Sequence, residues 1–263
     1  LGYYSQVGLL PSSRFERYTG KISIDNTVSD FFSFSINESV AYTDQSGTSS
    51  GGYYSNPIWG IKNLNPTAPV SLESGEFYKY PGFSSKIPNY VKNVQEEVKK
   101  STNFRSITNL TATANITKWL TFRTVNGLDY INLAERSEAG IDSHDGRNEK
   151  GDLAELFTKI LDMTTSNTFS FNKSFAKHKI SAVMGYEAKK YHYKYFYGEG
   201  TGFISDKFLE LDNAAQAIAV GGSFNDDRLV SYFVKGDYNY NDRYYFSLSY
   251  RRDGSSRLAQ EER

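Results

Sequence analysis

From Val230 to Tyr250 apolar and polar side chains alternate on either side of a short turn, and this period of two narrows the possible folds more than any other feature of the chain. Val230, Tyr232, Val234, Gly236, Tyr238 and Tyr240 occupy the even positions, and Ser231, Lys235, Asp237 and Asn239 the odd ones, with Phe233 the exception. Successive side chains of a strand point to opposite faces, so the segment is a strand with one apolar and one polar side. Asn241, Asp242 and Arg243 tolerate turn geometry, and the alternation then resumes with Tyr244, Phe246, Leu248 and Tyr250 against Ser247, Ser249 and Arg251.

The same pattern recurs along the chain. Tyr18, Ile22, Ile24 and Val28 oppose Arg17, Thr19, Lys21, Ser23, Asp25 and Thr27; after a turn near Ser29, Phe32, Phe34, Ile36, Val40 and Tyr42 oppose Ser33, Ser35, Asn37, Ser39 and Thr43. A third hairpin turns at Thr117-Lys118-Trp119, where Thr124 and Asn126 interrupt the apolar parity and suggest a bulge. A fourth turns at Ala176-Lys177-His178, with Ile180, Ala182, Met184 and Tyr186 on its apolar side. A soluble sandwich alternates too, but strands of about 12 to 14 residues exceed the usual 5 to 6 and suit a tilted bilayer crossing of about 9 to 11. The reading is about eight antiparallel strands in four hairpins, with short turns at one end and connections of roughly 30 to 55 residues at the other, the asymmetry of an outer-membrane barrel.

Composition supports this. Tyr (21) and Phe (18) are abundant, and the apolar ring and wet hydroxyl of tyrosine suit the girdles where a barrel meets lipid headgroups. Lys plus Arg (30) equals Asp plus Glu (30), which leaves no electrostatic case for nucleic acid. With no cysteine there is no disulfide framework and no thiolate site. No signal peptide opens the chain, so an exported barrel would need a preceding segment.

The long connections carry the candidate contacts. Residues 44–101 hold a Gly/Ser tract, five prolines and the aromatics Tyr53, Tyr54, Trp59, Tyr78 and Tyr80, the expected contacts to a substrate or to a covering partner. Glu96, Glu97, Lys99 and Lys100 fit either one short charged helix or, as the preferred reading, a solvated strand extension. In residues 131–164, Asp152 is expected to cap a short helix over Leu153 to Leu161, and Asp142-Ser143-His144-Asp145-Gly146 reads as a solvated turn rather than a metal loop. His178 and His192 read as solvated, without acidic partners, and Gly198 to Gly202 as a loop lacking the helix that a nucleotide site needs. No nucleophile, base and orienter set emerges, so no enzyme and no cofactor are expected.

The run Tyr250-Arg251-Arg252-Asp253-Gly254-Ser255-Ser256-Arg257 behind a Tyr-rich hairpin resembles the barrel signature of the SusC/RagA-like TonB-dependent outer-membrane transporters of Bacteroidetes, and His178 to Glu187 and Arg14 to Asp25 resemble it further. The resemblance implies an all-β transmembrane barrel of about 22 strands, of which residues 1–263 would form part, with the plug domain and TonB box outside this sequence. It implies import of oligosaccharides or peptides across the outer membrane, a SusD-like lipoprotein lid, energy through TonB, long loops outside the cell, contact with outer-membrane lipid, and a dimer of transporter-lipoprotein pairs. The rival readings are a soluble or surface-attached β-rich carbohydrate-binding module, which needs its apolar face buried in protein, and a barrel adhesin that transports nothing.

Overall fold

The computed structural model describes residues 1–47, 56–78 and 87–258, without the side chains of Trp59 and Ile61. Nine strands form one antiparallel sheet in sequence order: β1 (Gly2–Val7), β2 (Arg14–Thr27), β3 (Phe32–Gly47), β4 (Glu97–Thr117), β5 (Leu120–Ala139), β6 (Asp152–Phe175), β7 (His178–Thr201), β8 (Gln216–Tyr240) and β9 (Tyr244–Ser255). The four hairpins expected from the sequence are β2–β3, β4–β5, β6–β7 and β8–β9, and β1 precedes them. Their turns lie together at one end of the sheet, and the longer connections meet at the other. The connection from β3 to β4 contains α1 (Pro57–Gly60), an isolated bridge from Ser71 to Phe77, and α2 (Tyr90–Glu96), whose N-terminus is capped by Asn89.

The register places the apolar parities on one face. Phe34, Ala112, Thr124, Asn167, Tyr186 and Tyr232 form one cross-strand row, and Phe32, Ala114, Phe122, Phe169, Met184, Val234 and Tyr250 the next. This face is not covered by protein. Met184, Phe246 and Leu248 are 57%, 63% and 66% exposed, and the buried apolar residues of the described chain are Ile87, Tyr90, Val94, Leu153, Phe203 and Leu209, all in or beside the long connections. A soluble sandwich would bury its strand faces in a core; the described strands share no such core, as expected of a sheet whose outer face meets lipid. Among the described residues no helix is long and apolar enough to cross a membrane.

The strands correct the sequence reading in length. β6, β7 and β8 run 24, 24 and 25 residues, far beyond one bilayer crossing. Residues 153–161 are strand rather than helix: Asp152 pairs with Ala139 and Thr201, while Leu156 and Ile160 face the polar side and Phe157 and Leu161 the apolar side. The apolar spacing imitates a helical stripe because above the membrane no lipid selects one face, and the period of two fades. The intervening connections shrink to residues 140–151 and 202–215. Glu97 to Lys100 do extend β4, but Glu96 ends α2.

The interruption at Thr124 and Asn126 is not a bulge, since pairing through both residues is continuous; the register shift of this hairpin lies between Asn115 and Thr117. The polar side chains instead satisfy one another across strands. Asn167 donates to Thr165 (3.1 Å), Thr165 to Asn126 (2.8 Å) and Asn126 to Thr124 (3.1 Å). Such a ladder lowers the cost of placing polar groups on a lipid-facing surface.

Candidate functional site

The polar face carries ion pairs, an aromatic ladder and, at its upper end, the packed connections. Arg251 and Asp253, from the signature run, point to this face. The Arg251 guanidinium donates to Asp253 (2.8 Å), Glu187 (3.0 Å) and Ser231 (3.0 Å), so one side chain on β9 ties β8 and β7 together. Ser231 is fully buried beneath it. Phe233 is explained by the same arrangement: its ring lies over Gly185, where a Cβ would come within 2.3 Å of it, and Arg251 sits 5.8 Å from the ring centroid. Arg257 pairs with Asp227, while the Ser256 backbone donates to Arg228 (2.9 Å) and the Ser256 hydroxyl accepts from it (2.9 Å). Arg252 and Gly254 take the opposite parity, and Ser255 accepts from the Arg257 backbone (3.2 Å). The run is therefore a wall staple across three strands.

Further along the polar face, Tyr191, Tyr193, Tyr195 and Tyr197 stand at every second position of β7. Beside them lie Asp162, Ile160, Thr158 and Leu156 of β6 and Asp227, Asn225, Ser223 and Gly221 of β8. Nothing stands within 4 Å of where a Cβ on Gly221, the β8 partner of Tyr197, would be, so the space over that glycine is open. The Tyr193 and Tyr195 rings lie 5.9 Å apart. Tyr197 donates to Glu199, and this bond pushes its phenol up to about 12. Among the described residues the hydroxyls of Tyr191, Tyr193 and Tyr195 have no side-chain partner. The signal, tyrosine alternating from 191 to 197, is present in the sequence, where the segment reads only as a Tyr/Lys-rich strand.

The long connections close over the upper end. Phe203, Leu209, Leu211 and Ala214 pack with Leu153 and Ile141, and a Cβ on Gly200 would lie 2.7 Å from that of Ala214. Arg136 anchors this connection through Glu155 (2.8 Å), Glu210 (3.3 Å) and the Leu209 carbonyl. The acidic run is a turn with Asp142 and Asp145 exposed, as expected, but its Ser143 and Gly146 are buried. Ser143 is buried and accepts from the Gly146 backbone (2.9 Å), and Glu97 accepts from the Asp145 backbone (2.9 Å) and from Asn93 (2.8 Å). Burial pushes the Glu97 carboxyl up.

Of the expected contacts, Tyr53, Tyr54 and Tyr80 fall outside the described residues, as does the side chain of Trp59 in α1. Tyr78 is partly buried and lines a cavity of about 660 Å³ with Phe77, Asn89, Asn93, His144 and Arg147. The histidines are both partnered. His178 stacks on Phe175 (5.1 Å) and contacts the Tyr238 hydroxyl (2.7 Å), and His192 meets Asp226 at 2.6 Å, an acidic partner 34 residues away that only strand pairing supplies.

No family model matches the chain. Among curated proteins it is similar to two from Formosa agariphila, TonB-dependent receptor P39 (23% identity over 98% of this chain) and TonB-dependent receptor P3 (24% over 98%). It spans about a quarter of their length, 25% and 26% respectively. Among solved structures it superposes on the RagAB peptide transporter with a TM-score of 0.79 at 19% identity, covering 98% of this chain and 30% of that one. The closed-closed state of the RagAB peptide importer gives 0.78 at 19%, over 95% and 29%. These likenesses carry the fold.

Proposed function

We propose that this chain, an arc of a SusC/RagA-like TonB-dependent transporter barrel, forms part of the wall through which an oligosaccharide or peptide is imported across the bacterial outer membrane. The apolar face lies against lipid, the polar face lines the lumen, the short turns face the periplasm and the long connections the exterior. Among the described residues β1 and β9 are the edges of the sheet, and open edges are costly in hydrocarbon, which supports reading this arc as part of a larger closed barrel. Energy comes from TonB through a plug, and a SusD-like lipoprotein covers the exterior end, in a dimer of such pairs. Tyr53, Tyr54, Trp59, Tyr78 and Tyr80 contact the cargo or that lid.

The observation that carries the reading is the tyrosine ladder. It sits on the lumen parity above the lipid band, and its rings offer faces for stacking and hydroxyls for hydrogen bonds, as a binding surface for sugar rings or peptide side chains requires. Its repeat of about 6.6 Å also matches the same-face side-chain repeat of an extended peptide. The test is uptake by cells expressing the full-length protein, with Tyr191, Tyr193 and Tyr195 replaced by alanine, from defined oligosaccharide and peptide mixtures. A large fall in depletion of one mixture, equal in direction to that caused by loss of TonB, is expected, and the mixture names the cargo. Uptake unchanged by the triple variant rejects the ladder. Uptake by neither variant nor wild type leaves the adhesin reading in place.

A further inference from the structure

We infer that the outward face of β6–β9 binds the phosphates of anionic lipid headgroups in the outer leaflet. The inference rests on the proposed orientation in the outer membrane, but it concerns the lipid side of the wall. Along each of these four neighbouring strands the apolar run of the outward face ends, towards the long connections, in a cation. Leu161 gives way to Lys159 in β6, Ala188 to Lys190 in β7, Val230 to Arg228 in β8, and Tyr250 to Arg252 in β9. Lys194 follows on β7.

Two features separate this patch from a scatter of surface lysines. Lys190 lies directly opposite Arg228, and Lys159 directly opposite Lys194, so like charges face each other across adjacent strands, an arrangement that destabilises a sheet unless an anion lies between them. Second, among the described residues none of Lys159, Lys190, Lys194, Arg228 and Arg252 forms an ion pair. Asp226, in the row between the two like-charged pairs, is held by His192 at 2.6 Å and attracts Lys190 and Arg228 without forming an ion pair with either, so a single carboxylate faces four cations. Lys159, Lys194, Arg228 and Arg252 are exposed, and Lys159 also lies 5.5 Å from the Tyr130 ring centroid. The opposite rim differs. At the short turns the outward face presents Trp119, Phe171, Phe175, Tyr238 and Tyr244, with Lys173 held over the Trp119 ring.

An excess of cations bordering a lipid-facing apolar band complements a molecule with acyl chains and phosphate at that depth. The long side chains can lie along the band while their charged ends reach the headgroups. A soluble anion would satisfy the charge but would not explain why the cations border the apolar run on all four strands.

The test uses the full-length protein in phosphatidylcholine nanodiscs containing either diphosphoryl lipid A or its dephosphorylated form, with retained lipid read by native mass spectrometry after release. The wild type is expected to retain the diphosphoryl lipid and not the other. Each cation near an anionic surface contributes roughly fivefold, so K159Q/K190Q/K194Q/R228Q should lower retention about a hundredfold or more. Lys173→Gln on the opposite rim should leave it unchanged. Equal retention of the two lipids by the wild type, undiminished retention by the quadruple variant, or displacement by inorganic phosphate alone overturns the proposal. Should the quadruple variant fail to insert, the two lipids on the wild type decide the matter. A wild type that does not enter nanodiscs at all overturns the membrane reading beneath it, and the proposal with it.

Discussion

Phe233 breaks the alternation of β8, and its reason lies on another strand. A large ring on the lumen face is accommodated because Gly185, its partner on β7, leaves the space. Filling that space should cost roughly 1 to 3 kcal/mol, as overpacking does. Gly185→Val is therefore expected to lower the unfolding midpoint of the barrel, measured as the temperature at which its compact band is lost in detergent electrophoresis, and Phe233→Ala in the same chain should restore part of the loss. A carboxyl gives a second prediction at this scale. Glu97 is buried at the foot of α2, and its folded value lies above the ordinary 4.5 because burial disfavours the charge. A raised carboxyl means that the folded state binds the proton more tightly, so packing around residues 140–151 should strengthen as pH falls from the folded value towards 4.5. Amide exchange in that segment is expected to slow across this window, and Glu97→Gln should flatten the dependence.

Strands that outrun the membrane change what a connection is. The excursions after β5 and β7 are short caps on long strands, and the cap over β7 is fixed at one point by Arg136, whose guanidinium joins β5, β6, the Leu209 carbonyl and the Glu210 carboxylate. Truncating one partner of a half-buried charge network leaves the others unpaired. Arg136→Met should therefore increase proteolytic cleavage within residues 202–215 severalfold without changing insertion of the barrel, and limited proteolysis of intact cells followed by peptide mapping reads both. Equal cleavage in the two proteins would mean that the apolar packing of Phe203 and Leu209 alone holds the cap. The signature run behaves as an element in the same sense, since Arg251 owes its role to Glu187 and Ser231 on two other strands.

For the whole molecule, the two faces of the sheet predict opposite responses to charge. Met184, within the apolar band, should destabilise the protein by about 2 to 4 kcal/mol when replaced by arginine, the cost expected near the bilayer midplane, whereas Lys235→Ala on the lumen face should change little. Folding into lipid vesicles at graded denaturant measures both, and a soluble module would give the reverse order. The amino-acid sequence by itself determined the hairpins, the positions of the short turns and the division into apolar and polar faces, because within the membrane lipid and water select side chains at every second position. It also carried the resemblance, because the signature run is contiguous. Tertiary structure alone decided the rest. Residues 153–161 became strand because β5 and β7 supplied pairing partners, His192 found Asp226 only across a strand pair, and Tyr191 to Tyr197 became a ladder on the lumen side only once register fixed their face. Above the membrane no lipid imposes a period, so strand length and partner there depend on neighbours distant in sequence.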